Sequence, residues 1–314
     1  MYKKIVLIII LFLSLTFFLS GCSVIQTNES AQNKVDSQKL KIVASIFPLY
    51  DLVKEIGGDK VDVNVILPPG ASPHTFEVST SQIKSLQGTK IFFVNGQSLD
   101  NWVKDITDSV PGAETYDLSQ NVTLQRLDES DPNHIPDPDQ VDTTSYDPHY
   151  WLNLDNAILI AQAVSNKLSE FNPQNKGYYN INTQDFIEKL QTKDVEWKNK
   201  LSSLTNKNIV VFHDAWGYFA DHFDLKIVGT FEPFPGQEPT AQYLKELQKT
   251  VKDDNIKTLF VEPQLSQDSI KTLASDLGVQ IKTLDPLGGV DGRMSYIEMM
   301  DFNVNNIYEL LKAE

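Results

Sequence analysis

The chain has 314 residues, of which 42 are acidic and 27 are basic, giving a formal charge of −15 at neutral pH. Such a balance disfavours nucleic acid and anionic membrane surfaces and favours cations, although solubility alone also selects acidic surfaces. The single cysteine, Cys22, excludes an internal disulfide framework.

Lys3 and Lys4 precede an apolar run from Ile5 to Leu19, which ends in Leu19-Ser20-Gly21-Cys22. A basic flank, a short apolar stretch and small residues at its end predict a secretory signal peptide over residues 1–21. The run is short of the ~20 residues that a membrane span requires. Small residues directly before a cysteine resemble the lipobox of bacterial lipoproteins, which implies that Cys22 becomes the lipidated mature N-terminus. A diacyl anchor supplies the two chains that stable membrane attachment needs. Without Lys3 and Lys4, two positive charges fewer, the charge moves from −15 to −17. Residues 22–39 are polar and lack apolar periodicity, so they read as a flexible tether spanning roughly 20–25 Å.

The rest of the chain exceeds what one core usually supports, so two lobes are expected. In the first half, residues 40–46, 61–67 and 90–94 are β-branched and aromatic runs. In the second half, residues 208–212, 225–231, 258–261 and 280–284 have the same character. Nearly continuous apolar strands separated by helical stretches predict parallel sheets covered on both faces. Between the halves, Phe186, Leu190, Trp197, Leu201 and Leu204 recur at helical spacing in a segment with no proline after residue 174. The expected architecture is α/β: two Rossmann-like lobes, residues 40–174 and 206–314, joined by one long rigid helix over 175–205. A stiff helical connection permits only a small rotation of the lobes.

Against this frame, His74, His149, His213 and Asp285 stand out. His74 follows the second strand in Pro68-Pro-Gly-Ala-Ser-Pro-His74. His213 and Asp285 directly follow apolar strands. His149 lies in Asp147-Pro-His-Tyr-Trp-Leu152, where Asp147 and Pro148 are placed to orient its backbone. Ligands of open α/β sheets bind beyond the carboxyl ends of strands. Donors so far apart in sequence, two per half, predict a metal ion at the lobe interface. Taken singly, each has a duller explanation: a strand-end histidine is usually a satisfied polar residue, and Asp285 before Pro286 is an ordinary turn residue. Of the other histidines, His222 reads as a structural residue on a helix. His134 lies in the acidic stretch 128–147, a candidate accessory metal loop or simply a solvated one.

Six ordered blocks carry a resemblance to a family. They are Ile46-Phe-Pro-Leu-Tyr50, Leu67-Pro-Pro-Gly-Ala-Ser-Pro-His-Thr-Phe-Glu77, Asp147-Pro-His-Tyr-Trp-Leu152, Phe212-His-Asp-Ala-Trp-Gly-Tyr-Phe219, Phe260-Val-Glu-Pro-Gln264 and Leu284-Asp-Pro-Leu-Gly-Gly-Val-Asp-Gly-Arg293. From Ile42 to its end the chain resembles the zinc/manganese-type (cluster A-I) solute-binding lipoproteins of bacterial ABC importers. The resemblance implies His74 and His149 as ligands from the N-terminal lobe, and His213 and Asp285 from the C-terminal lobe. Asp285, Glu262 or water remain alternatives for the last position. It implies a monomer anchored through Cys22 on the extracellular face of the membrane, with a permease and its ATPase as partners.

Three imidazoles with one oxygen suit Zn²⁺. Manganese members typically carry Glu at the position of His213, so zinc is expected over Mn²⁺. Zinc members often have a histidine-rich loop, from which the acidic stretch with His134 alone departs. A secreted zinc hydrolase is the alternative from another class, with Glu262 or Glu232 as base, but the chain has no His-Glu-x-x-His pair. A surface adhesin fits the lipoprotein features and leaves the histidines unexplained.

Overall fold

The computed structural model describes residues 39–127, 146–232 and 239–312. The expected signal peptide, Cys22, the expected tether up to residue 38 and His134 lie outside the described residues.

Short apolar strands in each half pair in parallel. Strands β1 (Leu40–Ala44), β2 (Val61–Val65), β3 (Ile91–Val94) and β4 (Glu114–Asp117) form one sheet in the order β2-β1-β3-β4. Strands β5 (Asn208–His213), β6 (Lys226–Glu232), β7 (Thr258–Val261) and β8 (Gln280–Thr283) form the other, in the order β6-β5-β7-β8. The two lobes thus share one topology, and β4 alone is not anticipated by the sequence. Its residues Glu-Thr-Tyr-Asp carry no apolar run because the strand lies at the sheet edge and is half exposed.

Side chains alternate across each strand and so feed different cores. Ile42 and Ala44 of β1, and Ile209 and Val211 of β5, enter one core that runs through both lobes. Helices α1 (Phe47–Gly57), α4 (Leu154–Phe171), α5 (Lys176–Ser202) and α9 (Tyr296–Leu311) fill it with Ile56, Leu168, Leu190 and Ile307. The opposite faces build smaller cores: Val43, Phe92 and Val94 in the first lobe, Val210, Phe212 and Leu259 in the second. A continuous core across the lobes resists their independent movement.

Helix α5 is the expected connector. Its 27 residues extend about 40 Å. It buries Phe186, Leu190, Trp197 and Leu201, each contributing about 1.5–3 kcal/mol by removal of apolar surface from water. Polar bonds fasten it to both lobes: Asn182 Nδ2 donates to the Ile56 carbonyl of α1 at 2.9 Å, and Trp197 Nε1 to Asp301 of α9 at 2.7 Å. The side chain of His222 on α6 (Gly217–Phe223) is enclosed, with Nε2 2.7 Å from Asp194 of α5. It is structural, as the sequence suggests.

The segment after β8 closes the seam between lobes. Trp151 Nε1 donates to the Pro286 carbonyl, and Tyr296 Oη to the Trp151 carbonyl, both at 2.7 Å. Asp51 of α1 accepts from the Tyr296 amide at 2.7 Å. Gly289 has φ 76°, and a Cβ built there would sit 2.8 Å from the Phe47 ring. That close approach explains the paired glycines after Asp285: the left-handed backbone and the missing side chain are both required.

Candidate metal centre

The carboxyl ends of both sheets meet at this seam. His74 lies in the loop after β2, where the Trp102 indole donates to the Pro73 carbonyl at 3.1 Å and holds the backbone just ahead of the imidazole. His149 stands directly before the 3₁₀ turn Tyr150–Leu152. Asp147 Oδ1 accepts from the His149 amide at 2.8 Å and lies 2.7 Å from its Nδ1. His213 is the last residue of β5, and its Nδ1 lies 2.8 Å from Glu262 Oε1, just beyond the neighbouring strand β7. Trp216 Nε1 donates to the same oxygen at 3.0 Å.

Each of these two histidines therefore gives its Nδ1 proton to a carboxylate, which leaves Nε2 as a lone-pair donor. The two Nε2 atoms lie 3.4 Å apart. Zn–N bonds of ~2.0–2.1 Å in a tetrahedron put nitrogens about 3.3–3.4 Å apart, so the spacing matches a zinc edge. His74 completes the set: one ring nitrogen from each of His74, His149 and His213 lies within 4.8 Å of the others. His74 Nε2 is buried with no hydrogen-bond partner among the described residues. In their neutral Nδ1–H tautomers the rings of His149 and His213 offer Nε2 lone pairs to an ion placed between them.

Burial sets the charge state. It pushes His74 down to about 2, helped by its two histidine neighbours, and holds His149 well below the usual imidazole range. Burial also depresses His213, but the Glu262 charge and hydrogen bond outweigh it, so that His213 is raised overall. Asp147, fully enclosed, is pushed up to about 7 by burial. Two imidazoles are thus held neutral, the form that binds metal. The cavity between the rings is lined by His74, His149, His213, Glu262, Gln264 and Trp151, among others, and admits a water-sized centre over about 10 Å³. That is room for about one water or one bare ion.

The three histidines thus converge, and Asp285 lies outside their set. Asp285, the expected fourth ligand, makes local bonds in this structure. Oδ1 accepts from the amides of Leu287 and Gly288 at 3.1 Å each and from Gln264 Nε2 at 2.7 Å, while Oδ2 is ion-paired to Arg293 at 2.7 Å. These bonds also brace the loop after β8. Glu262, one alternative for the last position, is bound to His213 and Trp216. The sequence does mark Asp147, through its place two residues before His149; Gln264 and Trp151 carry no such mark.

Comparison with known proteins was consistent with this geometry. The profile of the family described as "ZnuA: Zinc-uptake complex component A periplasmic" matches residues 42–310. The high-affinity zinc uptake system protein ZnuA of Bacillus subtilis is 28% identical over 302 residues, 93% of this chain and 93% of that protein. The manganese ABC transporter substrate-binding lipoprotein PsaA of Streptococcus mitis is 29% identical over 311 residues, covering 94% and 97%. Among solved structures, AdcAII of Streptococcus pneumoniae superposes with a TM-score of 0.73 at 32% identity, over 86% of this chain and 98% of that one.

Proposed function

The chain belongs to the ZnuA family of zinc-uptake components, and from that premise we propose that it captures Zn²⁺ outside the cytoplasmic membrane and hands it to an ABC permease. The observation that carries this reading is the meeting of His149 and His213, one from each lobe, with Nε2 atoms at zinc-edge spacing beside the buried Nε2 of His74. His74, His149 and His213 are the ligands. Zinc is favoured over manganese because the donors in the cavity are imidazoles, whereas Mn²⁺ prefers oxygen-rich sets.

Capture follows from the seam. The ion joins the two N-terminal-lobe histidines to His213 and adds its bonds to a core already shared between lobes. Release requires those bonds to be strained, which a permease achieves by gripping both lobes and rotating them slightly. The helix α5 limits that rotation. The lipid anchor at Cys22 and tether keep the carrier near the permease and leave it free to turn. Hydrolysis is not supported: Glu262, the base a zinc hydrolase would need here, is bound to His213 and Trp216.

The test is substitution of the C-terminal-lobe ligand. His213→Ala should lower zinc affinity by orders of magnitude in calorimetry, with the far-ultraviolet dichroism of the folded protein retained. Unchanged affinity sinks the assignment.

A further inference from the structure

The histidines are not the only polar side chains that line the cavity. Gln264 lines it together with the three histidines, in the turn that follows β7 and Glu262. Its Nε2 lies 2.7 Å from Asp285 Oδ1. An ionised carboxylate accepts and never donates, and Asp285 is ion-paired to Arg293, so the atom facing it is the amide nitrogen. The orientation of the amide is thereby fixed, and the carbonyl oxygen points the other way. That Oε1 is buried and has no hydrogen-bond partner among the described residues. Two unpartnered buried atoms therefore line this cavity, Gln264 Oε1 and His74 Nε2, and both are lone-pair donors.

A buried carbonyl without a donor is destabilising, and a cation placed against it removes that penalty. The size of the cavity decides between direct and water-mediated contact. The space between the rings is narrow, which favours direct contact with the ion over contact through a further water. We propose that Gln264 Oε1 is the fourth ligand of the bound zinc and that Asp285 acts as its positioning residue, through Gln264 Nε2. This rests on the zinc-carrier reading above.

The arrangement has a consequence for selectivity. The inner set becomes three imidazoles and one amide, all neutral, while the Asp285 carboxylate is turned toward Arg293. Mn²⁺ and Mg²⁺ favour carboxylate oxygens, whereas imidazole suits zinc. An uncharged oxygen in place of a carboxylate therefore completes a tetrahedron for zinc without adding the charge that harder ions need.

The deciding experiment is a crystal structure of the zinc-loaded protein, accompanied by zinc calorimetry on Gln264→Leu, which conserves volume and removes the oxygen. Expected are a Gln264 Oε1–Zn distance of ~2.0–2.2 Å, as for other oxygen ligands, and a roughly 10–100-fold weaker, still 1:1, zinc complex for the variant. The metal-free variant should remain folded, because the Asp285 carboxylate that loses Gln264 Nε2 keeps the Leu287 and Gly288 amides and Arg293. Zinc on the three histidines with water or Asp285 in the fourth position overturns the proposal and leaves the carrier reading intact, as does unchanged affinity of Gln264→Leu. Zinc bound away from the three histidines overturns both.

Discussion

His149 Nε2 and His213 Nε2 lie 3.4 Å apart, although one is held by the N-terminal lobe and the other ends the first strand of the C-terminal lobe. Each ring is turned to this position by a carboxylate of its own lobe, Asp147 behind one and Glu262 behind the other. The site is therefore preorganised within each lobe and completed only where the lobes meet.

The carboxylate behind His213 should matter nearly as much as the ligand. Glu262→Gln keeps an acceptor for one donor but loses the charge that fixes the His213 tautomer. Zinc affinity should fall about 10–100-fold, the usual effect of removing a partner behind a metal-bound histidine. Calorimetry of the variant checks this, and wild-type affinity would show that Glu262 only packs.

Proton release on zinc binding should be smaller than three histidines suggest. His74, at about 2, and the depressed His149 are neutral imidazoles between pH 6 and 8, with no second proton to release. His213 is raised and Asp147 stands at about 7, so these two carry the protons that zinc must displace. Affinity should fall as the pH drops through this range, with about two protons released near pH 6 and fewer near pH 8. Calorimetry in buffers of different ionisation enthalpy counts them; release of three protons contradicts the assigned charge states.

The seam carboxylate Asp51 gives a stability signature of the opposite kind to a salt bridge. Burial raises it to about 6. The folded state therefore binds its proton more tightly than the unfolded chain, and stability is lost as pH rises from about 4 through about 6. Asp51→Asn keeps an acceptor for the Tyr296 amide and removes the ionisation. It should stabilise the metal-free protein by about 1–2 kcal/mol at pH 8 and by little at pH 4. Thermal melts at the two pH values test this, and equal shifts at both count against it.

Much of the frame was legible in the sequence because it depends on local patterns. Runs such as Asn208–Phe212 carry β-branched residues on both faces, and Phe186, Leu190, Trp197 and Leu201 keep one helical face through α5. The edge strand β4 was not legible, since a half-exposed strand carries no apolar run. Among the site residues, His74, His149 and His213 were marked by strand ends and rigid loops. The bonding of Asp285 was not legible, because a carboxylate after a strand looks the same whether it faces an ion or an arginine eight residues on. Gln264 and the Trp151–Pro286 bond were invisible for another reason: they depend on partners brought together by tertiary structure, in the second case 135 residues apart.

On the proposed reading the two lobes share one nitrogen-rich, single-ion site for zinc. The most direct test of this reading is a titration of the soluble domain, freed of its metal, with Zn²⁺ and Mn²⁺ in competition, followed by metal analysis. One zinc per chain, undisplaced by a large excess of manganese, is the predicted result. Preferential retention of manganese, or zinc bound with wild-type affinity by a variant lacking His74, His149 and His213, would contradict it.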